Sequence, residues 1–386
     1  MTIIQESYRR LLEQTRNWRR AAGGLLTGSG LWAIIGLFVV WAFIQERDAL
    51  VIGIVSGSIF ALGAIGLTLI YGILKFGHFA HGDAMMLAAY VAFFFLTGAV
   101  AGSRSGTEVN ALPLVVGDLP GATDTVWRFS FGYGLLVAMV LAAAVVAGLF
   151  VGLDRLVYRR LRERRSGIVM FSIAALGIAI GLRSIMLLLW GPNPRLYSTG
   201  IRERVSLPFD IHMLADQIFI FIAAVVMAVA VYVLLYRTKL GKAMRAMADN
   251  PDLARVSGID TDQIVLWTWA TSGALVAIAG VLLALQSQLS PELGFVLLLP
   301  LFASAILGGL GSPQGALIGG MIVGIFQEVA VTFDIGPSIE HVVNIVGIHL
   351  DVRPDFPGPG YKFSVAFVLL ILILLVRPRG LFGTKS

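Results

Sequence analysis

The sequence contains no cysteine and few charged residues. Of its 386 residues, 57% are hydrophobic and only 13% are charged, whereas about 25% of residues are charged in soluble domains. Without cysteine, the chain has no disulfide framework, no thiolate metal site and no cysteine nucleophile. It also lacks the motifs G-x-x-x-x-G-K-[ST], H-E-x-x-H and G-x-S-x-G, which excludes a P-loop ATPase, a zincin-type protease and a nucleophile elbow. The chain therefore does not hydrolyse ATP through a P-loop, and we expect no bound cofactor or metal.

Long apolar segments dominate the chain and predict an integral membrane protein. A membrane-spanning helix needs about 20 predominantly apolar residues. We predict an all-α, polytopic helical bundle of about ten transmembrane spans. The candidate spans are residues 28–45, 50–73, 82–99, 131–153, 168–190, 214–236, 263–287, 294–309, 315–333 and 361–377.

The net charge of +6 arises from basic clusters between the apolar segments. The clusters lie in residues 1–20, 153–166, 237–262 and 377–386. With ten spans, all of them fall on one side of the membrane, and the positive-inside rule places that side, together with both termini, in the cytoplasm. The loops 100–130, 191–213 and 334–360 then face outward. The basic clusters indicate orientation, and binding of nucleic acid is not expected.

Three regions follow from this arrangement: a basic N-terminal arm (1–27), a transmembrane domain (28–377) with a cytoplasmic loop (237–262), and a cytoplasmic tail (378–386). In the arm, apolar and aromatic residues recur at helical spacing among arginines, which is typical of a helix lying on the membrane surface. A disordered basic tail is the alternative. The basic lead is too long for a cleaved signal peptide, and no small-x-small cleavage site follows the first apolar run.

Two charged residues at membrane depth attract attention because burying a charge in the bilayer is costly and usually functional. Arg183 in span 5 and Glu328 in span 9 lie at similar predicted depths. We predict that they are neighbours in the folded protein. They would form a stabilising ion pair, or one of them would meet a charged solute.

Hydroxyl and imidazole side chains cluster around span 2. Four hydroxyl residues lie along the span: Ser56, Ser58, Thr68 and Tyr71. They suit a polar translocation path, although such hydroxyls also bond harmlessly to their own helix. His78 and His81 lie three residues apart after the span. Because two histidines without further ligands make a poor metal site, a hydrogen-bonded pair at the membrane interface is the simpler interpretation.

Glycine is abundant within the spans. The pairs Gly177/Gly181, Gly315/Gly319 and Gly320/Gly324 have the spacing that lets helices approach closely. Two Gly-interrupted turns, KFGHFAHGD after span 2 and LGGLGSPQG after span 8, are compatible with an internal duplication.

The segment YRTKLGKAMRAMADNPDLARVSGID is polar and helix-forming, yet it lies between two apolar spans. Lys239 to Ala248 predicts a short helix, which Pro251 interrupts because proline disfavours helix at the preceding residue. Gly258 suits the end of a second short helix. A short polar helix with a small apolar face favours docking into a partner groove. A solvated loop helix is the alternative.

Four sequence blocks carry a family resemblance. They are GSIFALGAIGLTLIYGILKFGHFAHGDAMMLAAYVAF, GKAMRAMADNPDLARVSGID, LPLFASAILGGLGSPQGALIGGMIVGIFQ and LVRPRGLFG. In this order they resemble the branched-chain amino acid permeases of bacterial ATP-binding-cassette importers. The resemblance covers most of residues 57–98, 237–333 and 375–383.

The resemblance implies an inner-membrane permease subunit without ATPase activity of its own. It would pair with a second, related permease (a paralogue) and with two cytoplasmic ATPase subunits that bind the coupling loops. A periplasmic solute-binding protein would deliver Leu, Ile, Val or a similar small solute to the outer face.

Residue roles are carried over by position in the motifs. The resemblance assigns an ATPase-coupling loop to Gly241, Arg245, Asn250 and Gly258, and a Gly-rich turn to Gly309, Gly311 and Gly315. The motif turn after span 2 comprises His78, His81, Gly82 and Asp83. Two of these depart from the family, which has Asn at the position of His78 and Glu at the position of Asp83. The N-terminal arm and the 100–130 loop also make this chain longer than a typical member.

Three alternative functions are a permease for another solute, a stand-alone transporter or channel, and a structural subunit. The same machinery could carry urea or a short amide. A stand-alone secondary transporter or channel would lack a coupling loop, and it would more often place a carboxylate or broken helices near the membrane midplane. A structural membrane subunit fits least well because it would need no paired Gly-rich turns.

Overall fold

The computed structural model describes residues 28–101, 108–112, 114–198, 200, 202–209, 211–333, 358–377 and 380–382. The predicted interfacial helix in the N-terminal arm lies outside these residues, as do most of the 334–360 loop and most of the tail. The α-helices are α1 Gly28–Gln45, α2 Arg47–Leu74, α3 His81–Thr97, α4 Tyr133–Leu153, α5 Arg159–Glu163, α6 Ile168–Trp190, α7 Ala215–Arg237, α8 Lys239–Asp249, α9 Pro251–Val256, α10 Thr261–Gln286, α11 Leu293–Gly308, α12 Pro313–Ala330 and α13 Lys362–Val376.

Between α4 and α5, a π-helix at Asp154–Tyr158 makes Tyr133–Glu163 one continuous helical segment. Two short antiparallel hairpins accompany the helices. Strand β1 Ala99–Ala101 pairs with β2 Glu108–Asn110, with Val100 opposite Val109. Strand β3 Arg204–Leu207 pairs with β4 Ile211–Leu214, with Val205 opposite Met213. Both hairpins connect long helices at the same end of the bundle.

The predicted helical architecture is confirmed. Each predicted span coincides with a helix, and the predicted and observed ends differ by at most a few residues. By length and composition, five helices of the described chain can cross a membrane: Arg47–Leu74, Tyr133–Glu163, Ile168–Trp190, Ala215–Arg237 and Thr261–Gln286. Four further apolar helices are shorter. The number of spans and the sidedness of the termini stay predictions.

Helix α2 is the centre of the bundle. It packs along α12 and also contacts α10, α11 and α7. Small residues allow this closeness: a Cβ placed on Gly324 would lie 2.2 Å from Gly57 Cα, and one on Gly320 would lie 2.5 Å from Ala61 Cα. Glycines in transmembrane helices favour such approaches because van der Waals packing between backbones replaces the missing hydrophobic drive. The prediction from glycine spacing is thus confirmed for α12.

The glycines of α6 behave differently. A Cβ at Gly177 or Gly181 would meet nothing within 4 Å in the described part of the chain. The expectation that this pair brings two helices of the chain together is therefore wrong for the described residues. Periodic spacing shows that a helix has a smooth face, but it does not show whether that face turns inward.

Those basic segments that the structure describes gather at one end of the bundle, here called the basic end. Lys75, just after α2, donates from Nζ to the Ala248 carbonyl of α8 at 3.1 Å. The tail also lies here, since Leu381 N–H donates to the Leu307 carbonyl at 2.7 Å. At the opposite end, the Trp190 indole donates to the Ala99 carbonyl at 2.9 Å. This grouping agrees with the charge pattern of the sequence.

Helix α3 begins inside the bundle. Helix α2 ends where Lys75 adopts a φ of 58°, and residues 75–80 then turn back into the protein. The first residue of α3, His81, places Nε2 2.8 Å from the Gly63 carbonyl, well inside α2. The start of α11 meets the start of α3, because a Cβ on Gly82 would lie 2.1 Å from the Gly294 carbonyl oxygen. Two helix N-termini therefore converge within the bundle.

Candidate functional site: the coupling helices, the Gly-rich turn and the buried charged pairs

Helices α8 and α9 form the segment to which the resemblance assigns coupling. Thr238 Oγ1 accepts the Gly241 N–H at 3.0 Å, which caps the first turn of α8. The apolar face of α8 is buried through Gly241, Met244 and Met247. A Cβ on Gly241 would lie 2.1 Å from the Leu234 carbonyl oxygen. Glycine is therefore what allows α8 to lie against the end of α7.

A second capped turn follows at once. Asn250 Oδ1 accepts the Leu253 N–H at 3.0 Å, and Pro251 occupies the first turn of α9. Both are preferred residues at a helix start. Gly258, at a φ of 84°, ends the segment, and Asp260 Oδ1 then caps α10 by accepting the Asp262 and Gln263 N–H groups at 3.1 Å. The predicted two-helix corner is observed, and each turn has its own cap.

The Arg245 side chain contacts another residue of this chain, although it is exposed to solvent. Its guanidinium lies 4.6 Å from the centre of the Tyr236 ring, and Tyr236 in turn stacks on Tyr232 at 4.8 Å. A cation over an aromatic face is attracted by the ring quadrupole. Arg245 thus helps to hold α8 against α7, which the sequence did not indicate.

Helix α9 presents apolar side chains to solvent. Leu253 is 64% exposed and Val256 is 86% exposed, and they lie three residues apart on one helical face. Sequence reasoning concentrated on the polar and small residues of α8 and missed both. Their spacing beside a proline-started helix was the available signal.

The cleft beside these helices is mixed in character. It has a volume of about 400 Å³ and lies between α5 and α9. Its charged lining residues are Arg159, Arg162, Glu163, Arg255 and Asp262. Several of these are already paired within the chain, since Arg162 binds Asp154 at 2.6 Å and Arg159 binds Glu163 at 3.0 Å.

The Gly-rich turn joins α11 to α12 at the basic end. Gly309 and Gly311 have φ values of 102° and 90°, a region that favours glycine. Gly315 packs face to face with Gly308, so that a Cβ on Gly315 would lie 2.1 Å from the Gly308 carbonyl oxygen. Gly308 was not among the predicted residues, although it belongs to the same motif.

The C-terminal signature closes over this turn. Gly380 has a φ of 73°, and a Cβ there would lie 2.6 Å from the Gly309 nitrogen. Leu381 and Phe382 donate their N–H groups to the carbonyls of Leu307 and Gly308 at 2.7 and 3.1 Å. Two of the resembling sequence blocks therefore meet in space.

Arg183 does not pair with Glu328, and that prediction is wrong. Its Nε and Nη2 donate to Asp83 Oδ1 at 3.0 and 2.9 Å. Asp83 is fully buried, and the guanidinium also lies 4.7 Å from the Phe295 ring. Similar depth does not imply the same helix face: α6 packs against α3 and not against α12.

Glu328 has partners of its own. Lys362, the first residue of α13, donates to Glu328 Oε2 at 2.6 Å, and Ser56 donates to Oε1 at 3.3 Å. Gln286 extends this network by donating to Ser56 Oγ at 3.0 Å. Lys362 was missed because a lysine at the edge of an apolar segment normally indicates only a boundary.

Two other hydroxyls of α2 bond to their own helix. Ser58 donates to the Val55 carbonyl at 2.7 Å, and Thr68 donates to the carbonyls of Ala64 and Ile65. Tyr71 is half-buried near the basic end. Of the four predicted path residues, Ser56 forms hydroxyl hydrogen bonds with other helices in the described part of the chain, through Glu328 and Gln286. A role for the set in translocation stays a prediction.

His78 lies in a cage of rings and makes no hydrogen bond with the residues that the structure describes. The ring centre is 5.1 Å from Trp269, 5.4 Å from Phe150 and 5.9 Å from Tyr158. His81 contacts it edge to face at 5.9 Å. The prediction of hydrogen-bonded histidines is confirmed for His81, whose Nε2 bonds the Gly63 carbonyl at 2.8 Å. It is wrong for His78, because the chain turns inward at Lys75 and buries this side chain among aromatic rings. No group of three possible metal ligands occurs in the described ranges.

These features define a class: a multi-pass helical membrane permease. Residues 49–376 match the family model described as branched-chain amino acid transport system / permease component. The chain therefore belongs to the branched-chain amino acid permease family, and the resemblance drawn from the four sequence blocks is confirmed.

Several curated proteins are similar over most of their length. The high-affinity branched-chain amino acid transport system permease protein LivH of Escherichia coli K12 is 31% identical over 338 residues, which is 86% of this chain and 93% of LivH. BraD of Pseudomonas aeruginosa is 29% identical over 349 residues, 89% of this chain and 97% of BraD. The ribose import permease protein RbsC of E. coli K12 is 27% identical over 310 residues, 77% of this chain and 82% of RbsC. No solved structure matches the chain.

Proposed function

We propose that this chain is the permease subunit of an ATP-binding-cassette importer in a bacterial inner membrane. Its solutes would be Leu, Ile, Val or similar small amino acids, moved from periplasm to cytoplasm. ATP would be hydrolysed on partner subunits, since the chain has no P-loop. Family membership supports the solute class, and the name of LivH supports branched-chain amino acids in particular.

The observation that carries the ATPase-driven mechanism is the corner of α8 and α9. Both helices of this corner have N-terminal caps, and α8 is held against α7. The exposed side chains of Leu253 and Val256 give the corner an apolar surface that can bind in a groove of a partner. Helix-in-groove recognition reads apolar anchors of this spacing. We infer two cytoplasmic ATPase subunits, one on this corner and one on a second permease, with a periplasmic binding protein at the opposite end.

A stand-alone secondary transporter is the competing function, and one observation favours it. The starts of α3 and α11 converge inside the bundle at Gly82 and Gly294, and broken helices of this kind occur in secondary transporters. The α8–α9 corner has no role in such a protein. Dependence on ATP therefore discriminates between the two.

The experiment is uptake of radiolabelled leucine into proteoliposomes that hold the permease, its ATPases and its binding protein. The proposal predicts that uptake requires ATP on the side of the membrane where the ATPases are bound. It also predicts that uptake persists when the proton gradient is collapsed. Uptake by the permease alone, abolished by a protonophore, would establish a secondary transporter. ATP-dependent uptake of urea or ribose but not leucine would keep the mechanism and correct the solute.

A further inference from the structure

An apolar groove runs along the outside of the bundle toward the basic end. It has a volume of about 280 Å³ and lies between α1, α12 and α13. Its walls include Ile35, Leu307, Ile322, Phe326, Leu372 and Ile373. Helix α1 forms one side and lies ahead of the residues that match the family model, which begin at 49.

The groove has the length of one bilayer leaflet. Its lining on α13 runs from Leu369 to Arg377, which is about 12 Å at 1.5 Å per residue. Half of a hydrocarbon core is about 15 Å. Trp32 of α1 marks the basic end of this helix, since its ring lies 6.1 Å from Phe382 of the tail. The groove is thus placed to face the leaflet at the basic end.

Arg377 stands where the groove ends. It lines the wall, yet the wall exposes no polar surface, so its aliphatic stem faces the groove and its guanidinium lies beyond it, as a snorkelling arginine does. Among the described residues, the guanidinium has no ion-pair or side-chain hydrogen-bond partner. In the sequence, Arg379 and Lys385 follow closely.

We propose that this groove binds one anionic phospholipid of the basic-end leaflet. An acyl chain fills the apolar groove, since an empty groove in hydrocarbon forfeits dispersion contacts on one side. The lipid phosphate meets the Arg377 guanidinium, which is a bidentate donor to phosphate oxygens. Basic pockets between transmembrane helices recognise anionic headgroups in this way. The proposal is independent of the solute and of the ATPases.

Native mass spectrometry of the full-length chain, released from detergent containing a defined lipid, measures the affinity. The probes are palmitoyl-oleoyl phosphatidylglycerol and palmitoyl-oleoyl phosphatidylcholine. We expect tighter binding of phosphatidylglycerol. Arg377→Gln should weaken it about five-fold, the value of one basic residue near an anionic headgroup. The same change should weaken phosphatidylcholine less, because its choline cation offsets the charge of the phosphate that both lipids carry. Arg377→Lys should retain the preference.

A matched pair on α13 tests the groove itself. Leu372→Trp should reduce the affinity for both lipids by filling the groove, whereas Leu375→Trp, at a position 72% exposed and outside the groove, should change neither. Size exclusion and circular dichroism establish that each variant is folded. Equal affinity for the two lipids, or equal effects of the two tryptophans, would overturn the proposal. Displacement of phosphatidylglycerol by inorganic phosphate alone would show that the site binds a free anion and not a lipid. That result would also overturn the proposal.

Discussion

At the scale of single residues, the charged groups inside the bundle are the most consequential. Asp83 is fully buried and Arg183 is 25% exposed. Their bidentate contact pairs the two opposite charges. A buried ion pair contributes little net stability over an apolar pair, but removal of one partner leaves an uncompensated charge. The pair is therefore best probed by breaking it from either side.

Arg183→Met should destabilise the protein by roughly 3 kcal/mol, since Asp83 would stay buried without its partner. Asp83→Asn should cost less, because a neutral amide can still accept from Arg183. The double variant should be more stable than the sum of the two effects predicts, as measured by thermal unfolding in detergent. Arg128→Met is the control: Arg128 and Glu203 form an exposed pair, and its loss should cost under about 1 kcal/mol. Additive effects of Asp83 and Arg183 would mean that they do not interact.

His78→Phe should leave the melting temperature unchanged or raise it. The imidazole lies among aromatic rings with neither nitrogen bonded to a described residue, and replacing an unpaired polar group by an apolar one of similar shape is nearly neutral or stabilising. The reverse change nearby, Phe76→His, should lower the melting temperature. A clear loss of stability in His78→Phe would indicate that the imidazole makes a hydrogen bond, for instance to buried water.

At the scale of elements, α8 and α9 have different roles in the α8–α9 corner. Helix α8 provides attachment to the bundle, since Gly241, Met244 and Met247 are buried and Arg245 lies over Tyr236. Helix α9 provides the exposed apolar face. The Gly-rich turn lies beside this attachment, as Gly311 lines a cavity together with Arg245 and Met244. Movement of α8 would therefore reach the α11–α12 turn directly.

Gly241→Val should displace α8 and reduce both ATPase copurification and uptake. The added side chain would overlap the Leu234 carbonyl, which a backbone cannot relieve without moving the helix. Lys242→Val is the matched control, because that neighbouring position is exposed. Normal copurification with both variants would mean that the placement of α8 is irrelevant to coupling.

Leu253→Asp and Val256→Asp should abolish ATPase copurification without lowering the melting temperature of the permease. Both side chains are exposed in this chain, so their loss removes interface contacts and not core contacts. Asp252→Ala, at an exposed position on the same helix, should have little effect. If the aspartate variants retain their ATPases, α9 is a solvated connector and the proposed surface lies elsewhere.

At the scale of the whole molecule, α2 organises the bundle because glycines on α12 let it approach. Gly324→Val should unfold the protein or lower its melting temperature strongly, since the new side chain would overlap Gly57 backbone atoms 2.2 Å from the Cβ position. Gly181→Val should leave the stability of the isolated chain unchanged, because that position opens onto nothing within 4 Å. Similar effects of the two substitutions on thermal unfolding would contradict the packing described for α2.

The sequence by itself determined the helices and the family. Bilayer thickness requires apolar segments of a set length, so spans 28–45 to 361–377 could be located from composition. The helix break at Pro251 and the helix end at Gly258 are local signals, and the α8–α9 corner could therefore be predicted. The order of the four motif blocks was enough to recognise the family, because the blocks are recognised by their amino-acid sequence and not by contacts in the folded chain.

Only the tertiary structure decided which residues meet. Arg183 and Glu328 have similar depth, but rotation about a helix axis sets the partner, and this rotation depends on packing between α6 and α3 that no local pattern records. The same reason separates Gly324, which is buried against Gly57, from Gly181, which faces outward. The inward turn after Lys75 buried His78 through long-range contacts with Phe150 and Trp269. Side-chain partners across helices are properties of the assembled bundle, since each is fixed by contacts distant in sequence.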